Sequence, residues 1–181
     1  MREIYVTGFG PFEGVPENPS SFIVSQLSDV IILDHELEVS VVAVEDAIPR
    51  YVAVVNETKH ESKPIVIHFG VATSATRPRL EKMAKNRAKF RIPDVRGDTI
   101  NDSPIILGAP ETIQTTLDID SLDGFDMSVD AGEYLCNYLY FKSLMAFGPS
   151  ADVLFVHLPS FETTPEDVQL ELIYSLLARI R

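Results

Sequence analysis

Ile65-Val66-Ile67-His68-Phe69-Gly70, entered from Pro64, reads as a buried strand. Apolar residues fill it without polar alternation, and only His68 interrupts the run. Two further stretches have the same character. Arg2 to Gly8 reads as a first strand that ends in the turn Gly8-Phe9-Gly10-Pro11, and Asp152 to His157 is another apolar strand. Helical segments fall between them. Asn18-Pro19-Ser20 opens one, with Pro19 near the first turn. The β-branched stretch Glu38 to Val44 predicts a strand, after which Asp46 caps a helix to about Glu61 with Pro49 in its first turn.

From Val71 to Arg91 the period is mixed, which predicts irregular chain plus strand, and residues 93–110 are rich in Gly and Pro. Glu111 to Leu117 reads as a short helix, Asp126 to Val129 as a short strand, and a helix follows through Met145. Thr164-Pro165-Glu166-Asp167 predicts an N-cap, a Pro at the first helical position and early acids for a terminal helix to Ile180. Strands alternating with helices imply an α/β fold in three α/β/α layers, with a mostly parallel or mixed twisted sheet. Residues 1–181 are expected to form a single domain. In such sheets ligands sit beyond the carboxyl ends of the strands. The Gly8 to Phe12 turn, Gly70, the segment leading to Cys136, and His157 all fall at or just past such ends.

Composition narrows the function classes. The chain has 15 Lys and Arg against 27 Asp and Glu, a formal net charge of -12. Nucleic acid and anionic membranes both require a positive footprint, so neither is expected as a partner. No apolar run is long enough for a membrane span, and Gly8, Gly10 and Pro11 interrupt any signal-peptide core. The one cysteine, Cys136, cannot close an internal disulfide, and no set of ligands suggests a structural zinc. A reducing, cytoplasmic setting fits, with no metal or cofactor implied.

Three side chains could carry chemistry. Cys136 lies in Asp130-Ala131-Gly132-Glu133-Tyr134-Leu135-Cys136-Asn137. A cysteine attacks as its thiolate, which a helix N-terminus and a nearby imidazole favour. Whether the helix starts at Asp130 or nearer Cys136 is open from the sequence, and a lone cysteine is more commonly a small buried hydrophobe. His157 ends its strand and could serve as a base or simply bond to backbone. His68 competes for that role, but between Ile67 and Phe69 it reads as a satisfied core histidine; His35 and His60 are expected to be exposed. Glu81, in a charge-rich stretch, matters only if the fold carries it to His157. The turn glycines match neither a P-loop nor a dinucleotide fingerprint. Phe9 and Phe12 could be loop core or the wall of an apolar pocket.

The order of these segments resembles the pyroglutamyl peptidase I family of cysteine peptidases over nearly the whole chain. Thr7-Gly8-Phe9-Gly10-Pro11-Phe12 followed by Asn18-Pro19-Ser20 looks like its N-terminal signature. Leu80-Glu81-Lys82 with Asn86 is similar to its glutamate segment, and Arg91-Ile92-Pro93-Asp94, Asn101-Asp102 and Pro104-Ile105 to the stretch after it. Tyr134-Leu135-Cys136-Asn137 resembles the nucleophile segment and Phe155-Val156-His157-Leu158-Pro159 the histidine segment.

The resemblance implies a phosphorylase/hydrolase-like scaffold and hydrolysis after an N-terminal pyroglutamyl residue. It implies Cys136 as nucleophile, His157 as proton shuttle and Glu81 as its holder. Phe9 and Phe12 would flank the lactam, with Asn18, Arg91, Ile92, Tyr134 and Leu135 as further substrate contacts. Backbone N–H groups near Arg91 and Cys136 would form the oxyanion site. The expected partners are peptides with N-terminal pyroglutamate; the resemblance leaves monomer or homo-oligomer open.

There are departures. Ser74-Ala75-Thr76-Arg77-Pro78-Arg79 replaces a Gly-Arg-containing run of bacterial members, Val71 a polar residue, and Ser21 an aromatic one. The altered 71–79 segment keeps a second reading in view, a non-catalytic member that binds pyroglutamyl termini or a protein partner. A third, a nucleoside phosphorylase or other hydrolase on a similar scaffold, would need an anion loop that the sequence does not offer.

Overall fold

Alternate residues of the central strands face two different helical layers, which is why these strands read as continuous apolar runs. The structure, a computed structural model, describes residues 1–181. Its elements are β1 (Ile4–Phe9), α1 (Pro19–Gln26), β2 (Ile31–Leu37), α2 (Val41–Glu57), β3 (Ile65–Val71), β4 (Arg79–Glu81), β5 (Met83–Lys85), β6 (Thr112–Gln114), β7 (Asp126–Ser128), α3 (Leu135–Phe147), β8 (Asp152–Leu158) and α4 (Glu166–Ile180). Six strands form one sheet in the order β2-β1-β3-β8-β4-β7. The pairings are parallel except that β4 runs antiparallel to β8, so the sheet is mixed. Strands β5 and β6 form a separate antiparallel pair.

One core joins α2 and α3 to Tyr5, Phe9, Val66, Val153 and Phe155 on one face of the sheet. The other joins α1 and α4 to Ile4, Val6, Ile65, Ile67, Leu154 and Val156 on the opposite face. This is the three-layer α/β/α arrangement expected from the alternation of strands and helices. No helix is long and apolar enough to cross a membrane.

Several local expectations are corrected. The second strand is not Glu38 to Val44 but Ile31–Leu37, an edge strand in which Asp34-His35-Glu36 hides the pattern. The Val41–Val44 run instead begins α2. Ser40, not Asp46, is the N-cap, its Oγ accepting from the Ala43 N–H at 3.1 Å. Buried Val44, Ala47, Ile48, Tyr51 and Val55 at helical spacing override the β-branched preference. Pro49 therefore lies inside the helix, but on its exposed face, where water can satisfy the carbonyl its missing N–H leaves free.

Thr112–Gln114 is a strand rather than a helix because it finds a partner in β5, Ala84 facing Ile113. In the terminal helix the cap position falls to Pro165, and Thr164 instead donates through its hydroxyl to the Thr76 carbonyl at 3.1 Å. His60 is not exposed. Its ring bonds to the Glu3 carboxylate and, at 2.7 Å, to the Val55 carbonyl.

Candidate active site

Register on the sheet decides which side chains meet. Gly70 of β3 lies opposite His157 of β8, and His68 opposite Phe155. Glu81 of β4 lies opposite Phe155 from the other side, with Arg79 opposite His157. Residues two apart share a face, so Glu81 is the diagonal neighbour of His157 on the face that α3 covers. The Glu81 Oε1 to His157 Nδ1 distance is 2.8 Å, and both side chains are buried. Residues 76 positions apart thus share a hydrogen bond.

Helix α3 lays a stripe over this face. Cys136, Tyr140 and Ser143 recur at the four- and three-residue steps of one helix side. The Tyr140 hydroxyl donates to the Glu81 carbonyl at 2.8 Å, and the Ser143 hydroxyl bonds to His68 Nε2 at 2.7 Å. The Cys136 sulfur sits over Gly70. A Cβ built on that glycine would lie 3.0 Å from Sγ and 2.8 Å from the Phe155 ring, so a hydrogen side chain there leaves room for the thiol.

The start of α3, open in the sequence, is Leu135, which makes Cys136 the second helical residue. Gly132, at φ +83°, lets the chain turn into this start, and its N–H donates to Asp130. The N–H groups of Leu135, Cys136 and Asn137 find no protein acceptor, as expected for a first turn, and direct partial positive charge toward the sulfur. Asn137 anchors the turn. Its Oδ1 accepts from Lys85 N–H, and its Nδ2 donates to the Lys85 and Arg87 carbonyls, at 2.9 to 3.0 Å.

Two buried histidines now differ sharply. Burial by itself would hold the His157 imidazole neutral. The charge of nearby Cys136, the hydrogen bond to Glu81 and the Glu81 charge outweigh burial and raise its pKa to about 9. His68 bonds only to the hydroxyls of Thr7 and Ser143, each at 2.7 Å, and burial pushes its pKa down to about 3. It is the satisfied core histidine that its sequence neighbours suggest.

Beside the sulfur opens a narrow apolar slot lined by Phe9, Phe12, Asn18, Val39, Val71, Tyr134, Leu135 and Cys136. The Phe9 backbone is fixed by its N–H bond to Ser20 Oγ at 2.9 Å. The Asn18 amide is largely occupied in shaping this wall. Its Nδ2 donates to the Gly10 carbonyl at 2.9 Å and its Oδ1 accepts from Ser20 N–H at 3.1 Å. Gly8 passes so close to α1 that a Cβ would lie 2.6 Å from the Ser20 carbonyl.

Arg91 and Ile92 do not line the slot; they line an adjoining cleft that shares the Tyr134 wall. The Arg91 N–H has no protein acceptor. Its loop is held by buried Asp94, which accepts from the N–H groups of Val41, Arg96 and Asp98, each at 2.9 Å. Asn137, Tyr140 and Val39 were missed as contributors to the site. The helical spacing of Tyr140 from Cys136 marks it in the sequence, whereas Val39 carries no such mark, since residues 38–44 read as a strand.

Comparison with known proteins gives a uniform result. Residues 2–171 match the family model for pyroglutamyl peptidase. The pyrrolidone-carboxylate peptidase of Pyrococcus furiosus is 36% identical over 151 residues, covering 78% of this chain and 72% of that one. The human pyroglutamyl-peptidase 1 is 34% identical over 171 residues, covering 87% and 79%. Among solved structures, a mutant pyrrolidone carboxyl peptidase from P. furiosus superposes with a TM-score of 0.80 at 26% identity, covering 98% of this chain and 97% of that one. The Thermus thermophilus pyrrolidone carboxyl peptidase gives 0.76 at 26% identity, covering 96% and 98%.

Proposed function

The chain belongs to the pyroglutamyl peptidase family, and on that basis we propose that it hydrolyses the amide bond after an N-terminal pyroglutamyl residue, with residues 1–181 as one catalytic domain. Cys136 is the nucleophile, His157 moves the proton and Glu81 orients His157. The observation that carries this reading is the His157 ring. One nitrogen is fixed on a buried carboxylate, and the Cys136 sulfur lies over Gly70, the residue paired with His157 on the adjacent strand. A carboxylate on Nδ1 leaves Nε2 for the sulfur and stabilises the imidazolium form.

In the first half of the reaction the Cys136 proton passes to His157 and Sγ bonds to the pyroglutamyl carbonyl carbon. The oxygen of that carbonyl becomes negative and is met by the free N–H groups of Cys136 and Arg91. Such donors are typically worth about 3 kcal/mol each in acyl transfer. The C–N bond then breaks, His157 delivers its proton to the departing amine, and a thioester remains. Water then attacks the thioester carbonyl, giving its proton to His157. The C–S bond breaks, pyroglutamate leaves, and the proton returns to Cys136.

The slot suits the lactam. Phe9, Phe12, Tyr134 and Leu135 offer apolar surface to an uncharged ring. An unblocked glutamate would bring an ammonium and a carboxylate, both costly to desolvate there without partners. Val71 brings no side-chain hydrogen bond to the slot, so the lactam N–H and C=O depend on backbone groups and on whatever capacity Asn18 retains. The test is fluorescence release from a pyroglutamyl-coumarin amide. The wild-type protein should release coumarin, Cys136→Ala should not, and iodoacetamide should abolish the wild-type activity. Equal rates for the wild type and Cys136→Ala would refute the assignment.

A further inference from the structure

Tyr134 separates two spaces. On one side is the apolar slot; on the other is a wider cleft lined by Lys85, Lys89, Arg91, Asp130, Glu133 and Tyr134 among others. The ring is held as a partition. Its hydroxyl donates to the Pro93 carbonyl at 3.1 Å, and it packs edge-on against Phe90 with centroids 4.8 Å apart. The cleft wall is tied together behind it by the Lys89 N–H to Glu133 carbonyl bond at 2.9 Å.

Charge in the cleft is unlike that of the whole chain. Asp130 is paired with Lys85 at 2.8 Å, and Glu133 faces Arg87 at 3.3 Å. Arg87 is itself held by both oxygens of Asp102 at 2.7 Å, so Glu133 is only partly matched. Lys89 and Arg91 are exposed and take part in no ion pair, and the walls carry the cations Lys85, Lys89 and Arg91 against the acids Asp130 and Glu133, so the cleft is net positive in a molecule of net charge -12. A second groove, beyond Val71 on the far side of the slot, has the opposite character, carrying Glu17 and Glu162.

The free N–H groups choose between the two. Those of Arg91 and Cys136 would face the scissile carbonyl, and the Arg91 side chain projects into the positive cleft. We propose that this cleft receives the departing peptide, and that Lys89 and Arg91 make the enzyme prefer substrates with an acidic residue directly after the pyroglutamate. The proposal rests on the peptidase reading above and names the class of peptide that this site favours. An extended chain leaving the slot past Tyr134 brings the first side chain after the lactam between these cations, where a carboxylate is attracted and an ammonium repelled.

The experiment compares kcat/KM for release of pyroglutamate from C-terminally amidated pGlu-Glu-Ala, pGlu-Gln-Ala and pGlu-Lys-Ala, with the pyroglutamyl-coumarin amide as an uncharged control. The expected order is Glu, then Gln, then Lys. Solvent-exposed contacts to two cations should separate Glu from Gln on the order of fivefold. Raising the salt to about 0.5 M should compress that ratio, because the charges are screened. Lys89→Glu should reverse the Glu-over-Lys preference and Lys89→Ala should weaken it, each read as the ratio of kcat/KM between peptides within the same variant. Equal rates for the three peptides, or an unchanged preference in both Lys89 variants, would overturn the proposal. So would a preference for Lys, which would instead send the departing chain into the Glu17 and Glu162 groove. If the wild type fails on the coumarin amide itself, the peptidase assignment falls rather than the preference.

Discussion

His68 and His157 occupy adjacent strands, face the same helix and are both sealed from water, yet their imidazoles are driven in opposite directions. Burial disfavours the charged form of each. His68 has two hydroxyls as partners, neutral dipoles that satisfy an uncharged ring, and its pKa falls to about 3. His157 has a buried carboxylate at 2.8 Å and a thiol, and its pKa rises to about 9. Equal burial therefore does not make equal histidines; the charge of the neighbours decides.

Linkage follows with opposite signs. The stability contributed by neutral His68 is present above its unfolded pKa near 6.5 and is lost as pH falls toward 3. That from His157 is present below about 6.5 and is lost as pH rises through 9.

The largest expected effect that can break this contrast is on catalysis. His157→Gln should reduce kcat/KM for the pyroglutamyl-coumarin amide by about 10⁴-fold or more, as loss of the central proton carrier does in comparable triads. Retention of most of the activity would mean that His157 is as passive as His68. Glu81→Gln should lower turnover less, on the order of 10²- to 10⁴-fold, because geometry survives while the negative charge is lost. The sign for pH is fixed by the same charge. Removing a carboxylate that favours imidazolium lowers the His157 pKa, so the alkaline fall in activity, expected near pH 9 in the wild type, should move to lower pH. An unmoved alkaline limb in a pH-rate profile would show that Glu81 does not set it.

The smallest effect sharpens the contrast from the structural side. Ser143→Ala leaves His68 Nε2 buried without its partner, which should cost about 1–3 kcal/mol in urea unfolding while kcat/KM stays near wild type. A catalytic defect as large as that of Glu81→Gln would place His68 within the reacting group.

Legibility in the sequence tracked how local each determinant is. Residues 65–71 and 152–158 announce themselves as strands because their neighbours on both faces are apolar, whatever the partner strand. Asn18-Pro19-Ser20 carries its own cap and first-turn proline, and it opens α1 as read. The failures lie where a distant partner overrode the local preference. Ile31–Leu37 is a strand because β1 pairs with it, and Thr112–Gln114 because β5 does. Val41–Val44 is helical because the stripe from Val44 to Val55 buries against the sheet.

The site divides in the same way. Residue types alone raised Cys136 and His157 as candidates and cast His68 as core, because a thiol, an imidazole and an apolar run each have chemistry that needs no neighbour to state. Glu81 is different. As a single carboxylate among charged residues it has no local mark, and its bond to His157 depends on one antiparallel pairing that sets Glu81 beside Phe155. The same holds for the half-buried Cys136 over Gly70 and the helix that begins just before it, since sheet register and a positive-φ turn are settled by packing between segments far apart in the chain. Periodicity and side-chain chemistry belong to the chain as written, whereas the charge state of a buried group belongs to the neighbours that folding assembles around it.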